Sequence, residues 1–83
     1  MYKKVVPYIN NMEVKNLEIS KNIRFYRKSL GLTQEELANR LGGKKSLVSN
    51  YENGYSVPDI FTLIKLADIF DVTLDELVGR FYK

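Results

Sequence analysis

The sequence predicts an all-α fold of five short helices, on three observations. From Ile19 onward, apolar residues recur at steps of three and four rather than two. Two S/T-x-x-E segments, Thr33 to Glu36 and Thr73 to Glu76, each lie between apolar residues spaced to staple a helix start. Glycines at 31, 42 and 54 stand where successive apolar stripes end, as left-handed stops.

The first helix carries Ile19, Ile23, Tyr26 and Leu30 on one stripe, closes at Gly31, and has Ser20 as a candidate cap. The second starts at the Thr33–Glu36 capping box with Leu32 and Leu37 as its staple, reaches Leu41, and stops at Gly42 or Gly43. At about eight residues it is too short to persist alone in water and must pack on a neighbour. The third fits Lys45 to Asn53 and ends at Gly54. Lys45, Ser46, Ser49 and Asn50 fall on one side of it, and Leu47, Val48 and Tyr51 on the other. The fourth opens after Pro58 with Asp59 as cap and turns Leu63, Leu66, Ala67 and Phe70 inward. The fifth repeats the capping box at Thr73–Glu76, with Val72 and Leu77 as staple and apolar positions as far as Phe81.

Residues 1–18 read differently and are set apart from a helical domain over 19–83. Val5 to Ile9 is β-branched and aromatic, Asn10-Asn11 is a turn pair, and Met12 to Lys15 alternates. This is the pattern of a small β-hairpin, with Pro7 confining its strand to an edge, or of an N-terminal arm.

Composition narrows the function. A chain of 83 residues holds one domain and one modest core. It has no Cys, so no disulfide framework and no Cys-based zinc or redox site. It has no His, which removes the commonest general base and metal ligand, and no cofactor or metal is expected. Its apolar runs fall far short of the roughly 20 residues that span a bilayer, and its start lacks the apolar core of a signal peptide. The expectation is a cytoplasmic binding protein without a membrane partner. An enzyme is not expected, because the densest acidic pairs, Glu35-Glu36 and Asp75-Glu76, lie in helix starts where they favour the helix dipole. The formal charge of +3 divides unevenly: residues 1–56 are net basic and residues 57–83 net acidic. A basic half suggests a face turned towards a polyanion.

Two short helices around a glycine turn, the second polar on one side, make a helix-turn-helix arrangement. Ala38 is small where the two helices must approach, Gly42 occupies the turn, and Leu37, Leu41, Val48 and Tyr51 supply a shared core. Longer runs carry a more specific likeness. Ile23-Arg24, Arg27, Gly31 to Ala38 and Leu41-Gly42, then Val48 to Gly54, Pro58-Asp59, Thr62-Leu63, Lys65-Leu66-Ala67 and Val72 to Leu77, follow one another in order. Over residues 19–79 the chain thus resembles the Cro/phage-repressor (Xre-type) helix-turn-helix family.

The resemblance implies a compact five-helix repressor-like domain that binds double-stranded DNA and regulates transcription. The implied form is a repressor, a homodimer on a palindromic operator with its third helix in the major groove. It gives Gln34 a phosphate contact at the start of the second helix, and it matches Lys45, Ser46 and Asn50 to base-reading positions. Their chemistry suits the task, since Lys donates to guanine, Asn pairs with adenine, and Ser serves either. Ser49 is placed to touch a base or a phosphate, Lys44 and Asn53 to touch phosphates, and Arg27 with Glu52 to form a structural ion pair.

The chain departs from the family pattern in two places. After the turn glycine the family has Val or Ile and then a capping Ser or Thr, where this chain has Gly43 and Lys44. Ser46 is then an alternative cap, which would start the helix two residues later and withdraw Ser46 from base reading. Phe25 and Phe61 stand at positions that are often polar, which suggests a docking surface for the N-terminal extension or for a protein partner. The alternative function is accordingly a protein-interaction or antitoxin-type module built on the same fold.

Overall fold

A computed structural model of the chain describes residues 18–80. Five helices account for most of them: α1 (Ile19–Ser29), α2 (Gln34–Leu41), α3 (Lys45–Glu52), α4 (Ile60–Phe70) and α5 (Leu74–Val78). No strand occurs among the described residues. The hairpin-or-arm segment of the N-terminal extension and Phe81 lie outside them.

Local chemistry sets most of the helix ends. Thr33 accepts the Glu36 N–H through its hydroxyl at 3.0 Å, while the Glu36 carboxylate accepts the Thr33 N–H at 2.8 Å. Thr73 and Glu76 repeat the same reciprocal pair at the head of α5. Asp59 caps α4 by accepting the Thr62 N–H at 2.9 Å. Each such cap satisfies donors that a helix start leaves open and stabilises it by about 1 kcal/mol.

Two ends differ from the sequence expectation, and a third, that of α4, is not specified by it. α1 is entered through Glu18 without any side-chain cap, so Ser20 is the second helical residue. The start is fixed from outside the helix, because the Glu18 N–H donates to the Val78 carbonyl at 3.0 Å. α4 stops at Asp71, which takes the left-handed conformation at φ 57°, ψ 48° although it is not glycine. α5 ends at Val78, where Gly79 adopts φ 80° and turns the chain before Phe81.

The core is one cluster drawn from every helix: Ile23, Leu37, Ala38, Val48, Tyr51, Leu66, Ala67, Phe70 and Leu77. Burying each of the larger aliphatic side chains contributes about 1.5–3 kcal/mol. Ala38 is fully buried, which lets α2 and α3 approach closely. Leu41 and Leu63 pack against this cluster but remain partly exposed. α1 crosses behind α3, and α5 packs on both α1 and α4, so α2 and α3 are held by a scaffold of the other three.

Candidate DNA-binding surface

The turn between α2 and α3 is closed by main-chain hydrogen bonds. Gly42 takes φ 77°, and the Gly43 N–H donates to the Ala38 carbonyl at 2.9 Å. A β-carbon at 42 would be conformationally strained, which accounts for glycine there. At Gly43 a β-carbon would lie 2.7 Å from Leu47 Cδ2, the far end of a flexible side chain, so a larger residue there requires Leu47 to shift.

α3 begins at Lys45 with Lys44 as its N-cap in extended conformation, and Lys44 provides no side-chain cap. The alternative start at Ser46 is therefore not adopted, and Ser46 is the second helical residue. Lys44, Lys45, Ser46, Asn50 and Asn53 are exposed and Ser49 is half-buried. Behind them Val48 and Tyr51 enter the core, which fixes the rotation of the helix. The Asn53 side-chain amide donates to the Ser49 hydroxyl at 3.3 Å. Two lysines at the positive end of a helix without an acidic residue in its first turn leave that end suited to an anion.

Beside this face, one buried ion pair joins three elements. Arg27 of α1 donates Nε to Glu52 Oε2 at 2.6 Å and Nη2 to Glu52 Oε1 at 3.1 Å. Its Nη1 donates to the Leu32 carbonyl, just ahead of α2, at 2.7 Å. Gln34 donates Nε2 to the same Glu52 Oε1 at 3.1 Å. The sequence reading gave Gln34 a phosphate contact and overlooked this link. The bond joins residues 18 positions apart and leaves no local pattern. An open concavity lined by Arg27, Thr33, Gln34, Glu35 and Lys45 brings the head of α2 to the head of α3.

The two exposed phenylalanines sit on different helices. The Phe25 and Tyr26 rings meet edge to face, and Tyr26 packs at a tilt of 33° against Phe70, the last residue of α4. Phe61 is the second residue of α4, about 13 Å from Phe70 along the axis of that helix. Its apolar neighbours are Val57, Ile60 and Ile64, all exposed, with Phe61 itself 77% accessible. Sequence reasoning found Phe61 alone because Ile60 and Ile64 fit equally well into an inward stripe.

Among the described residues, no group of His, Cys, Asp or Glu is arranged to hold a metal ion, and no helix is long and apolar enough to cross a membrane. A family model described as helix-turn-helix matches residues 23–77. The chain belongs to that family. This Cro/phage-repressor-type helix-turn-helix protein is similar to the transcriptional regulator ImmR of Bacillus subtilis, 36% identical over 64 residues, which are 77% of this chain and 50% of ImmR. It is similar also to the cryptic phage CTXphi transcriptional repressor RstR of Vibrio cholerae, 31% identical over 77% of this chain and 57% of RstR. The helix-turn-helix chain thus spans about half the length of these curated relatives. Among solved structures, SinR in complex with DNA superposes with a TM-score of 0.66 at 34% identity, covering 72% of this chain and 97% of that one.

Proposed function

We propose that this chain is a sequence-specific double-stranded-DNA-binding regulator of transcription, a repressor that inserts α3 into the major groove. The observation that carries this reading is the two-sided build of α3. Lys45, Ser46, Ser49 and Asn50 face outward while Val48 and Tyr51 anchor the other side in the core. In this reading Lys45, Ser46, Ser49 and Asn50 meet base edges, whereas Gln34, Lys44 and Asn53 hold phosphates and fix the register. The likeness to SinR, solved with DNA, supports the double-stranded partner. Repression follows from occupying a promoter, without a cofactor.

The same reading makes the protein a homodimer on a palindromic operator, with its two α3 helices about 34 Å apart. The apolar face of Val57, Ile60, Phe61 and Ile64 supports self-association, because it presents uncharged side chains and so sets no like charges against each other. That face also favours a second reading, an interaction module whose main partner is another protein.

Selection of binding sites from random duplex DNA at stated salt, with sedimentation of the complex, tests both. A two-fold symmetric consensus bound by two chains is expected. No enrichment of any sequence at physiological salt overturns the DNA reading, and tight binding by a single chain overturns the dimer.

A further inference from the structure

We infer that Glu52 is a positioning residue for Gln34, so that the buried ion pair is part of the DNA-binding machinery and not only a strut between helices. The inference rests on the DNA-binding reading above and concerns how one of its phosphate contacts is aimed.

The Glu52 carboxylate is almost fully buried, its side chain 3% accessible, and it accepts three hydrogen bonds. Two come from the Arg27 guanidinium, which is itself tied to the Leu32 carbonyl and has no freedom to turn away. The third comes from Gln34 Nε2, the first residue of α2. A carboxylate only accepts, so the amide of Gln34 must present its nitrogen and not its oxygen to Glu52. That nitrogen has two hydrogens. One is held by Oε1, and the other is directed by the same planar geometry to a different acceptor. Gln34 also lines the open concavity with Arg27, Thr33, Glu35 and Lys45, where an approaching phosphate would meet it. Without Glu52, the side-chain torsions of Gln34 and the flip of its amide would be free, and ordering them would count against binding.

Glu52→Gln separates positioning from charge. The new side chain has one acceptor oxygen. The shortest of the three bonds, from Arg27 Nε at 2.6 Å, keeps that oxygen at the Oε2 place, so the amide nitrogen stands where Oε1 accepted from Gln34 Nε2 and turns it away. The same substitution removes a negative charge near the DNA, which by itself favours binding. The two effects have opposite signs, and only the first requires Gln34.

The test measures binding of the full 83-residue chain to a selected duplex at fixed salt. It compares the natural sequence, Gln34→Leu, Glu52→Gln and the double variant, each first shown to be folded by thermal melting. Glu52→Gln is expected to weaken binding by roughly three- to tenfold in the natural background, the size of the cost of ordering one freed side chain. In the Gln34→Leu background it is expected to leave binding unchanged or tighten it. An equal loss in both backgrounds, or no loss in the natural one, overturns the inference alone. A natural chain that binds no duplex overturns the DNA reading and the inference with it.

Should Glu52→Gln melt below the assay temperature, the side-chain amide signals of Gln34 in the natural chain carry the test. One hydrogen is expected to exchange slowly before DNA is added, and the other to shift when the duplex binds. Two hydrogens that exchange equally fast in the free protein overturn the inference.

Discussion

Asn22 of α1 donates its side-chain amide to the Leu77 carbonyl at 3.0 Å and to the Glu76 carbonyl at 3.3 Å, closing the C-terminal end of α5. These carbonyls belong to the last turn of a five-residue helix, where the Gly79 N–H reaches the Glu76 carbonyl at 3.3 Å and Asn22 adds to that closure. Asn22→Ala is therefore expected to cost about 1–2 kcal/mol in chemical denaturation. Gly79 lies against the same amide: a β-carbon there would stand 3.2 Å from Asn22 Nδ2, whereas one at Gly42 would meet nothing within 4 Å. Both glycines have positive φ, so both Ala variants are strained by about 1 kcal/mol. Gly79→Ala should lower the melting temperature more than Gly42→Ala, because Asn22 and the Glu18 backbone nitrogen, 3.3 Å from the same β-carbon, must both give way; the reverse order would show that both yield freely.

Lys44 sets stability against binding. It occupies an N-cap that it does not satisfy, next to Lys45 at the positive end of α3. Lys44→Ser should stabilise the fold by about 1 kcal/mol through a restored cap. On DNA the same variant should bind all sequences more weakly and reduce the salt slope by about one. Asn50→Ala should behave otherwise, costing about 1–3 kcal/mol at the selected site and relaxing base preference there, with the salt slope unchanged. Titrations at several salt concentrations distinguish the two.

Asp71 is a left-handed residue with an unfavourable charge for its position. At φ 57° it ends α4, where a negative side chain also opposes the helix dipole. Asp71→Gly relieves both effects and should raise stability by about 1 kcal/mol, measured by thermal or urea unfolding. An unchanged or lower melting temperature would count against strain at this turn.

Two caps make stability depend on acid. The Thr33 backbone N–H, then its hydroxyl and Arg40, holds the Glu36 carboxyl below its usual range. The Thr62 backbone N–H, followed by its hydroxyl, does the same for Asp59. Folded values below the unfolded ones mean that this stabilisation is complete above the ordinary carboxylate range. It is lost as the pH falls through the folded values. Melting temperatures should therefore be level above about pH 5 and fall below about pH 4. Glu36→Gln with Asp59→Asn should flatten that fall.

What the sequence made legible was chemistry that acts within a turn or two. The Thr33–Glu36 and Thr73–Glu76 boxes, the Asp59 cap and the glycine stops at 31, 42 and 54 rely on residues no more than a few positions apart. Illegible features depended on distant partners. Ser20 lost the start of α1 to Glu18 because Val78, 60 residues away, receives the Glu18 N–H. The capping box at Thr73 required α4 to end before it, but gave no sign that Asp71 would take the left-handed turn usually left to glycine. The polar face of α3 could be read from a 100° periodicity, but the bond from Gln34 to Glu52 required two helices to be in place.

The bond from Glu18 to Val78 makes the first described residue a neighbour of the end of α5, with 3.0 Å between donor and acceptor. The fold is in that sense a ring with a single seam. A short linker across the seam would let the chain be opened elsewhere, for instance in the exposed stretch 54–57 before α4. Such a permuted protein would run α4, α5, α1, α2, α3 and keep the recognition pair contiguous at its end. Sequences grafted before residue 18 or after residue 80 would share one point of attachment.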